Sequence, residues 1–334
     1  MERQAIQDEL ILYGRRFSSR LLLDIARYES PQQLTNAICA AEPAMLTVSL
    51  RRQLSASKDS GQSFWNLLQE IQCPILPNTA GCLTAHEAVK TACLARDVFQ
   101  TDLIKLEVIG DEINLQPDPF GLVKAANKLV KLGFHVLPYC TEDWVLCGRL
   151  LDVGCEALMP WAASIGTSQG PRNVRALREL RQRVPQIPLL IDAGIGLPSH
   201  ACQVMEWGFD GVLLNTAVSR SLDRVRMADA FAKAIRAGRS AFLAGPMVVQ
   251  EVAVPSTPKI GRAFPSESSQ LPRLLASGRA TPNQRDGTSS ENPLFRTWRS
   301  KTKRGWLNSS IGREQPKTRS LSGGTTTTVE LPGG

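Results

Sequence analysis

Residues 188–215 read PLLIDAGIGLPSHACQVMEWGFDGVLLN, and the punctuation of this stretch decides what kind of sheet the chain builds. A short apolar run, 188–192, ends on Asp192 and a glycine turn. Pro198-Ser199 then opens a helical segment, Gly208 stops it, and a second apolar run, 211–215, follows at once. Strand, helix and strand in this order form the unit that lays successive strands side by side and parallel. The same alternation runs through the preceding sequence, with strands expected at 9–13, 45–50, 74–78, 103–109, 135–139 and 157–161 besides these two. Helix starts are signalled at Ser30-Pro31, Ser60, Thr84-Ala85-His86-Glu87, Asp118-Pro119, Thr141-Glu142-Asp143 and Pro198-Ser199, and helix stops at Gly133, Gly154 and Gly208. Eight such units in about 240 residues fit a (β/α)8 TIM barrel, whereas an open doubly wound sheet usually has fewer strands. No GxGxxG follows the first expected strand, which argues further against a dinucleotide fold.

Composition narrows the function classes. A chain of 334 residues with 43% hydrophobic and 21% charged residues has the makings of a large core, which excludes collagen-like and wholly disordered readings. No stretch approaches the roughly 18 uncharged apolar residues of a membrane span, and the N-terminus lacks the layout of a signal peptide, so a cytoplasmic protein is expected. The net charge of +8 is all in the tail: residues 256–334 carry 13 Lys/Arg and 5 Asp/Glu, and the body before them carries 26 of each. A neutral body is a poor electrostatic match for a polyanion, and nucleic acid is not an expected partner. Two segments are read, a barrel over 1–260 and a low-complexity basic tail over 261–334. The tail is too poor in apolar residues to offset its ordering entropy and is expected to be disordered. A basic arm and a solvated tail with no role both fit it. The eight cysteines form no CxxC pair, and the three histidines stand at no ligand spacing, so reduced core thiols are expected and a structural zinc is not.

In a barrel, alternate residues of each strand point inward, and functional side chains gather at the strands' C-terminal ends. In Leu103-Ile104-Lys105-Leu106-Glu107-Val108, Lys105 and Glu107 share one face, and if the apolar set meets the helices they face the interior. A lysine there is expensive to desolvate unless paired, and burial lowers its pKa towards a free amine able to attack a carbonyl. A buried ion pair without chemistry is the competing reading. Asp192 brings a carboxylate to the rim, followed by the Gly194-Ile195-Gly196 turn. The loops after strands seven and eight are where barrels commonly hold phosphate. The loop 165–170 after strand six adds small donors to the same rim. These residues fit an imine-forming aldolase or isomerase of phosphorylated sugars, or a degenerate barrel kept as an interaction partner, and they do not name a substrate.

Several stretches do. Leu76-Pro77-Asn78-Thr79-Ala80-Gly81 with Thr84-Ala85-x-Glu87-Ala88, Ile104-Lys105-Leu106-Glu107-Val108, Pro117-Asp118-Pro119, Val136-Leu137-Pro138-Tyr139-Cys140, Met159-Pro160, Ile165-Gly166-Thr167-Ser168-Gln169-Gly170, Asp192-Ala193-Gly194-Ile195-Gly196 with Pro198-Ser199-His200-Ala201, and Leu213-Leu214-Asn215-Thr216-Ala217 lie in order and in register. Over roughly residues 8–260 the chain thereby resembles the thiazole synthase (ThiG) family of thiamine biosynthesis. The resemblance implies an imine between Lys105 and 1-deoxy-D-xylulose 5-phosphate, attack by the thiocarboxylate of a ThiS-type sulfur-carrier protein, and ring closure with dehydroglycine supplied by a separate oxidase or lyase. It implies acid–base work for Glu107 and Asp192, and a phosphate site at Gly166, Ala193, Gly194, Asn215 and Thr216. It also implies a homotetramer and no metal or redox cofactor. Two features depart from the family: Ala162-Ala163-Ser164 stands where Gly-Ala-Pro is usual, which removes backbone freedom at Ala162 and rigidity at Ser164, and the basic tail is foreign to it.

Overall fold

A computed structural model describes residues 8–50, 66–68 and 70–254. The tail 261–334, the expected domain boundary before it and the helix start at Ser60 lie outside the described residues.

The chain begins with a hairpin, β1 (Leu10–Leu12) antiparallel to β2 (Arg15–Phe17). Its turn residues Tyr13 and Gly14 both take positive φ, 49° and 76°, the backbone twist that suits a two-residue hairpin. There follow β3 (Leu21–Asp24), α1 (Pro31–Ala41), β4 (Met45–Ser49), β5 (Ile75–Asn78), α2 (Ala85–Phe99) and β6 (Leu103–Leu106). A small hairpin of β7 (Ile109–Asp111) and β8 (Gln116–Pro117) leads to α3 (Pro119–Lys131), β9 (His135–Cys140), α4 (Trp144–Asp152) and β10 (Met159–Pro160). Then come α5 (Val174–Arg183), β11 (Leu190–Asp192), α6 (Pro198–Glu206), β12 (Gly211–Leu214), the short α7 (Thr216–Ser219) and α8 (Arg224–Ala244). Side chains of Ser30, Thr84, Asp118 and Asp143 accept the N-terminal amides of α1 to α4, and Gly133, Gly154 and Gly208 follow α3, α4 and α6 with positive φ.

Eight strands pair in parallel in the order β11-β12-β3-β4-β5-β6-β9-β10, and the bridge between Leu158 and Leu189 joins the two ends. The sheet is a closed (β/α)8 barrel. Alternation along the strands divides its core in two. Leu22, Met45, Leu76, Leu103, Leu137, Met159, Leu190 and Leu213 fill the lower interior, while Leu23, Leu46, Ile104, Val136, Ile191 and Val212 pack outward beneath the helices. Two residues above the inner apolar layer, the same strands present Asp24, Thr47, Asn78, Lys105, Tyr139 and Asp192, all buried. The register that seals the bottom with hydrocarbon thus loads the top with polar groups.

The expected first barrel strand is a correction. Segment 9–13 does contain a strand, but it belongs to the hairpin, whose Leu10, Leu12 and Phe17 join the inner apolar cluster and plug the bottom of the barrel. The first barrel strand is Leu21-Leu22-Leu23-Asp24, buried at all four positions. Burial on both faces erases the period-two pattern that distinguishes a strand with one wet face.

Because Leu12 is fully buried and Ile11 is 49% exposed, Leu12→Ala is expected to cost about 2–5 kcal/mol of stability and Ile11→Ala less than about 1 kcal/mol, measured from urea unfolding midpoints.

Candidate active site

Lys105 stands two residues above Leu103 on β6, so its side chain enters the barrel. Its Nζ lies 2.7 Å from Asp192 Oδ2 on β11 and 3.0 Å from Glu107 Oε1, just beyond the end of β6. All three residues are about 95% buried. The backbone that carries Glu107 is clamped from the neighbouring strand, because Thr79 Oγ1 accepts the Glu107 N–H at 2.7 Å and donates to its carbonyl at 2.8 Å. The Thr79 N–H donates to the Lys105 carbonyl at 3.1 Å. Tyr139 from β9 closes one side, its ring centroid 6.0 Å from Nζ.

Burial alone would strip the proton from Lys105, as the sequence suggested. The two carboxylates overturn that effect and hold the ammonium well above the ordinary lysine range. The resting lysine is therefore a cation, not a partly free amine. Asp192 responds in the opposite sense to a normal aspartate: burial, reinforced by the charges of Glu107 and Asp24, outweighs the attraction of Lys105 and pushes it up to about 6. Asp192, raised in this way and 2.7 Å from the ammonium, is a stronger base than an ordinary aspartate and the nearer of the two carboxylates to the Nζ protons. Burial and the same carboxylates keep the Tyr139 hydroxyl protonated, and it donates to the Leu115 carbonyl at 3.2 Å.

Gly166, Ala193, Gly194, Asn215 and Thr216 line the same hollow as this trio. Ala193 and Gly194 take successive left-handed conformations, φ 71° and 78°, and a Cβ at position 194 would lie 2.3 Å from the Ala163 nitrogen, so only glycine fits. The carbonyls of Ala193 and Gly194 accept from Ala162 N–H (3.2 Å) and Gly170 N–H (2.8 Å) of the strand-six loop. Each peptide is trans, so the N–H groups of Gly194 and Ile195 point away from that loop. Ala162 does not stand in the left-handed region, so replacing the usual glycine there brings no backbone strain, and the Ser164 carbonyl accepts from both the backbone and the hydroxyl of Thr167.

The sequence reading gave no site role to Asp24, Asn78 or Tyr139, although Asn78 and Tyr139 stand in the stretches that carry the resemblance. Asp24 also lines the hollow, its Oδ2 accepting from Thr47 Oγ1 at 2.9 Å and its Oδ1 from Ala26 N–H at 2.8 Å. The signal was present: Leu21-Leu22-Leu23-Asp24 delivers a carboxylate from an apolar run just as Leu189-Leu190-Ile191-Asp192 does. Among the described residues no group of three or more His, Cys, Asp or Glu is placed to hold a metal ion, and no helix is long and apolar enough to cross a membrane.

The family model described as thiazole biosynthesis protein ThiG matches residues 11–258. The chain belongs to the ThiG family. It is 62% identical over 260 residues to a thiazole synthase of Paracidovorax citrulli, covering 78% of this chain and 96% of that protein. It is 58% identical over 262 residues to a thiazole synthase of Cupriavidus necator, covering 78% and 94%. Among solved structures, the crystal structure of the Amycolatopsis orientalis BexX/CysO complex matches at 30% identity with a TM-score of 0.65, over 73% of this chain and 98% of that one. The segment 162–164 that departs from the usual ThiG pattern lies inside the matched region.

Removing the cation from this trio leaves two buried carboxylates facing each other. The folded-state proton affinity of Asp192, already raised by burial, then stands further above that of the unfolded chain, so stability is present at low pH and lost as pH rises through the raised value. Lys105→Ala is therefore expected to be destabilised by about 3 kcal/mol at pH 8 and by clearly less at pH 5, read from urea midpoints at the two pH values.

Proposed function

We propose that this member of the ThiG family acts as a thiazole synthase, a sulfur-transferring enzyme that builds thiazole phosphate from 1-deoxy-D-xylulose 5-phosphate, dehydroglycine and the thiocarboxylate of a ThiS-type carrier. The observation that carries this reading is the buried ammonium between two carboxylates, beneath a rim with two backbone N–H groups directed to one side. The phosphate seats against Gly166, Ala193, Gly194, Asn215 and Thr216, which brings the ketone down to Nζ.

Asp192 takes a proton from Lys105, and the freed amine adds to the ketone carbon. The proton returns to the carbonyl oxygen, water leaves, and the imine forms with no net change in protons at the site. Glu107 or Asp192 then removes a proton from the adjacent carbon and returns one to complete the tautomer, moving carbonyl character one carbon along the chain. The carrier's thiocarboxylate sulfur adds to that carbonyl carbon, the carrier's acyl group passes from the sulfur to the new alkoxide oxygen and departs with it as a carboxylate, and loss of water, capture of dehydroglycine and release of the Lys105 amine close the ring. A protein sulfur donor is supported by the BexX/CysO relative, which was solved as a two-protein complex. The resemblance extends the proposal to a cytoplasmic homotetramer.

Incubation with the ketose phosphate, borohydride reduction and peptide mass spectrometry should place an adduct on Lys105. Lys105→Ala, assayed near pH 6 where its fold is better preserved, should give none, and Asp192→Asn should form it about 100-fold or more slowly. The wild-type rate should fall as pH drops through about 6, because protonated Asp192 cannot accept the Nζ proton. Labelling elsewhere than Lys105 would reject the imine, and product formation without a thiocarboxylated carrier would favour a carrier-independent aldolase or isomerase.

A further inference from the structure

The motif Pro198-Ser199-His200-Ala201 belongs to the ThiG pattern, yet none of the chemistry above uses its histidine. His200 lies in the first turn of α6, and its Nδ1 accepts the Gly196 N–H at 3.3 Å. Its ring lies flat against the strand-six loop: a Cβ at Gly170 would come within 2.8–2.9 Å of three ring atoms, so the imidazole rests directly on the Gly170 backbone. Gly170 is also the residue whose N–H holds the Gly194 carbonyl. One side chain thus touches both layers of the rim, the loop behind the phosphate turn and the last peptide of the turn itself.

The peptides of 193–196 are then fixed in sequence. Those of Ala193 and Gly194 are fixed through their carbonyls by the strand-six loop, and that of Ile195 through the Gly196 N–H by His200. The two N–H groups directed away from the strand-six loop, on Gly194 and Ile195, are bracketed by these anchors. An imidazole accepts at Nδ1 only when that nitrogen is unprotonated; an imidazolium has donors at both nitrogens and would face the Gly196 donor with another.

We infer that neutral His200 is a positioning residue for the phosphoryl group, a clasp that holds the 193–196 turn in its anion-binding shape and releases it on protonation. This rests on the phosphate site of the proposed function and gives that site a pH-dependent regulator. Burial moves the histidine below its ordinary range, and no charged neighbour contributes to the shift. Gly170 and Gly196, which touch the ring, carry no titratable side chain; Arg172 follows the loop, Cys202 and Glu206 are the titratable residues of its own helix, and α8, which packs on that helix, carries Arg224, Arg226, Asp229, Lys233, Arg236 and Arg239, none of which contributes to the shift.

The test compares wild type with His200→Phe, which keeps a ring on Gly170 but has no acceptor, and His200→Asn, whose Oδ1 can replace Nδ1. The concentration of ketose phosphate that half-saturates borohydride-trapped adduct on Lys105 is measured from pH 5 to 8, together with thermal stabilisation by inorganic phosphate. At pH 7.5, His200→Phe is expected to need about tenfold more ketose phosphate at an unchanged plateau, and His200→Asn to stay within about threefold of wild type. Substrate phosphate and Asp192 titrate in all three proteins. On acidification the half-saturating concentration should therefore climb more steeply in wild type than in His200→Asn. Equal half-saturation in wild type and His200→Phe, equal impairment of both variants, or parallel pH profiles would overturn the clasp. Phosphate stabilisation lost in His200→Phe alone, with no adduct in any protein, would reject the imine and keep the clasp.

Discussion

An ammonium at the centre of a barrel, 2.7 and 3.0 Å from two carboxylates and almost without solvent, is the constraint around which this structure is arranged. Any one of these charges alone would cost several kcal/mol to desolvate, and together they are tolerable only with close geometry and fixed supports. The fold supplies both. Below the trio the barrel is hydrocarbon, closed from beneath by Leu10, Leu12 and Phe17 of the N-terminal hairpin. Beside it Thr79 ties the end of one strand to the next, so that Glu107 cannot drift from the lysine it faces. The outcome is a cation held at rest on Lys105, 2.7 Å from Asp192, a carboxylate pushed up to about 6.

The rim obeys a different constraint, the need to direct backbone donors at one place. Two loops meet there without side chains between them at Gly194, where a single methyl group would strike the Ala163 backbone. Close approach lets the strand-six loop take the turn's carbonyls and leaves the amides of Gly194 and Ile195 facing away from the donors of Ala162 and Gly170. The strand-six loop holds the turn through backbone atoms, and Ala162 needs no left-handed conformation, so Ala162-Ala163-Ser164 meets the turn without backbone strain. The base of the hollow and its rim are therefore built by different means, charge in one case and peptide geometry in the other.

Much of this was legible in the sequence, because alternation is a local property. That Lys105 and Glu107 share an inward face follows from their spacing, and that Asp192 ends an apolar run follows from composition. The first barrel strand was not legible, because Leu21–Asp24 is buried on both sides and a nearby hairpin strand with proper alternation took its place in the reading. Asp24 was lost with it. The charge state of Lys105 was misread for a deeper reason: pKa depends on what lies across the barrel, and no spacing along one strand reveals that Asp192, three strands away, meets the same nitrogen. The tie between His200 and Gly196 is likewise invisible until the turn between them has a shape.

The most direct test of the account is a pH titration of the Asp192 carboxylate itself, followed by its carbon-13 shift in wild type and in Lys105→Met. A midpoint near 6 is expected in wild type, against an ordinary value of 3.8, with a further rise once the ammonium is gone. An ordinary midpoint in wild type that does not move in the variant would mean that the carboxylate and the lysine do not share a dry site, and the proton-transfer chemistry built on them would fail.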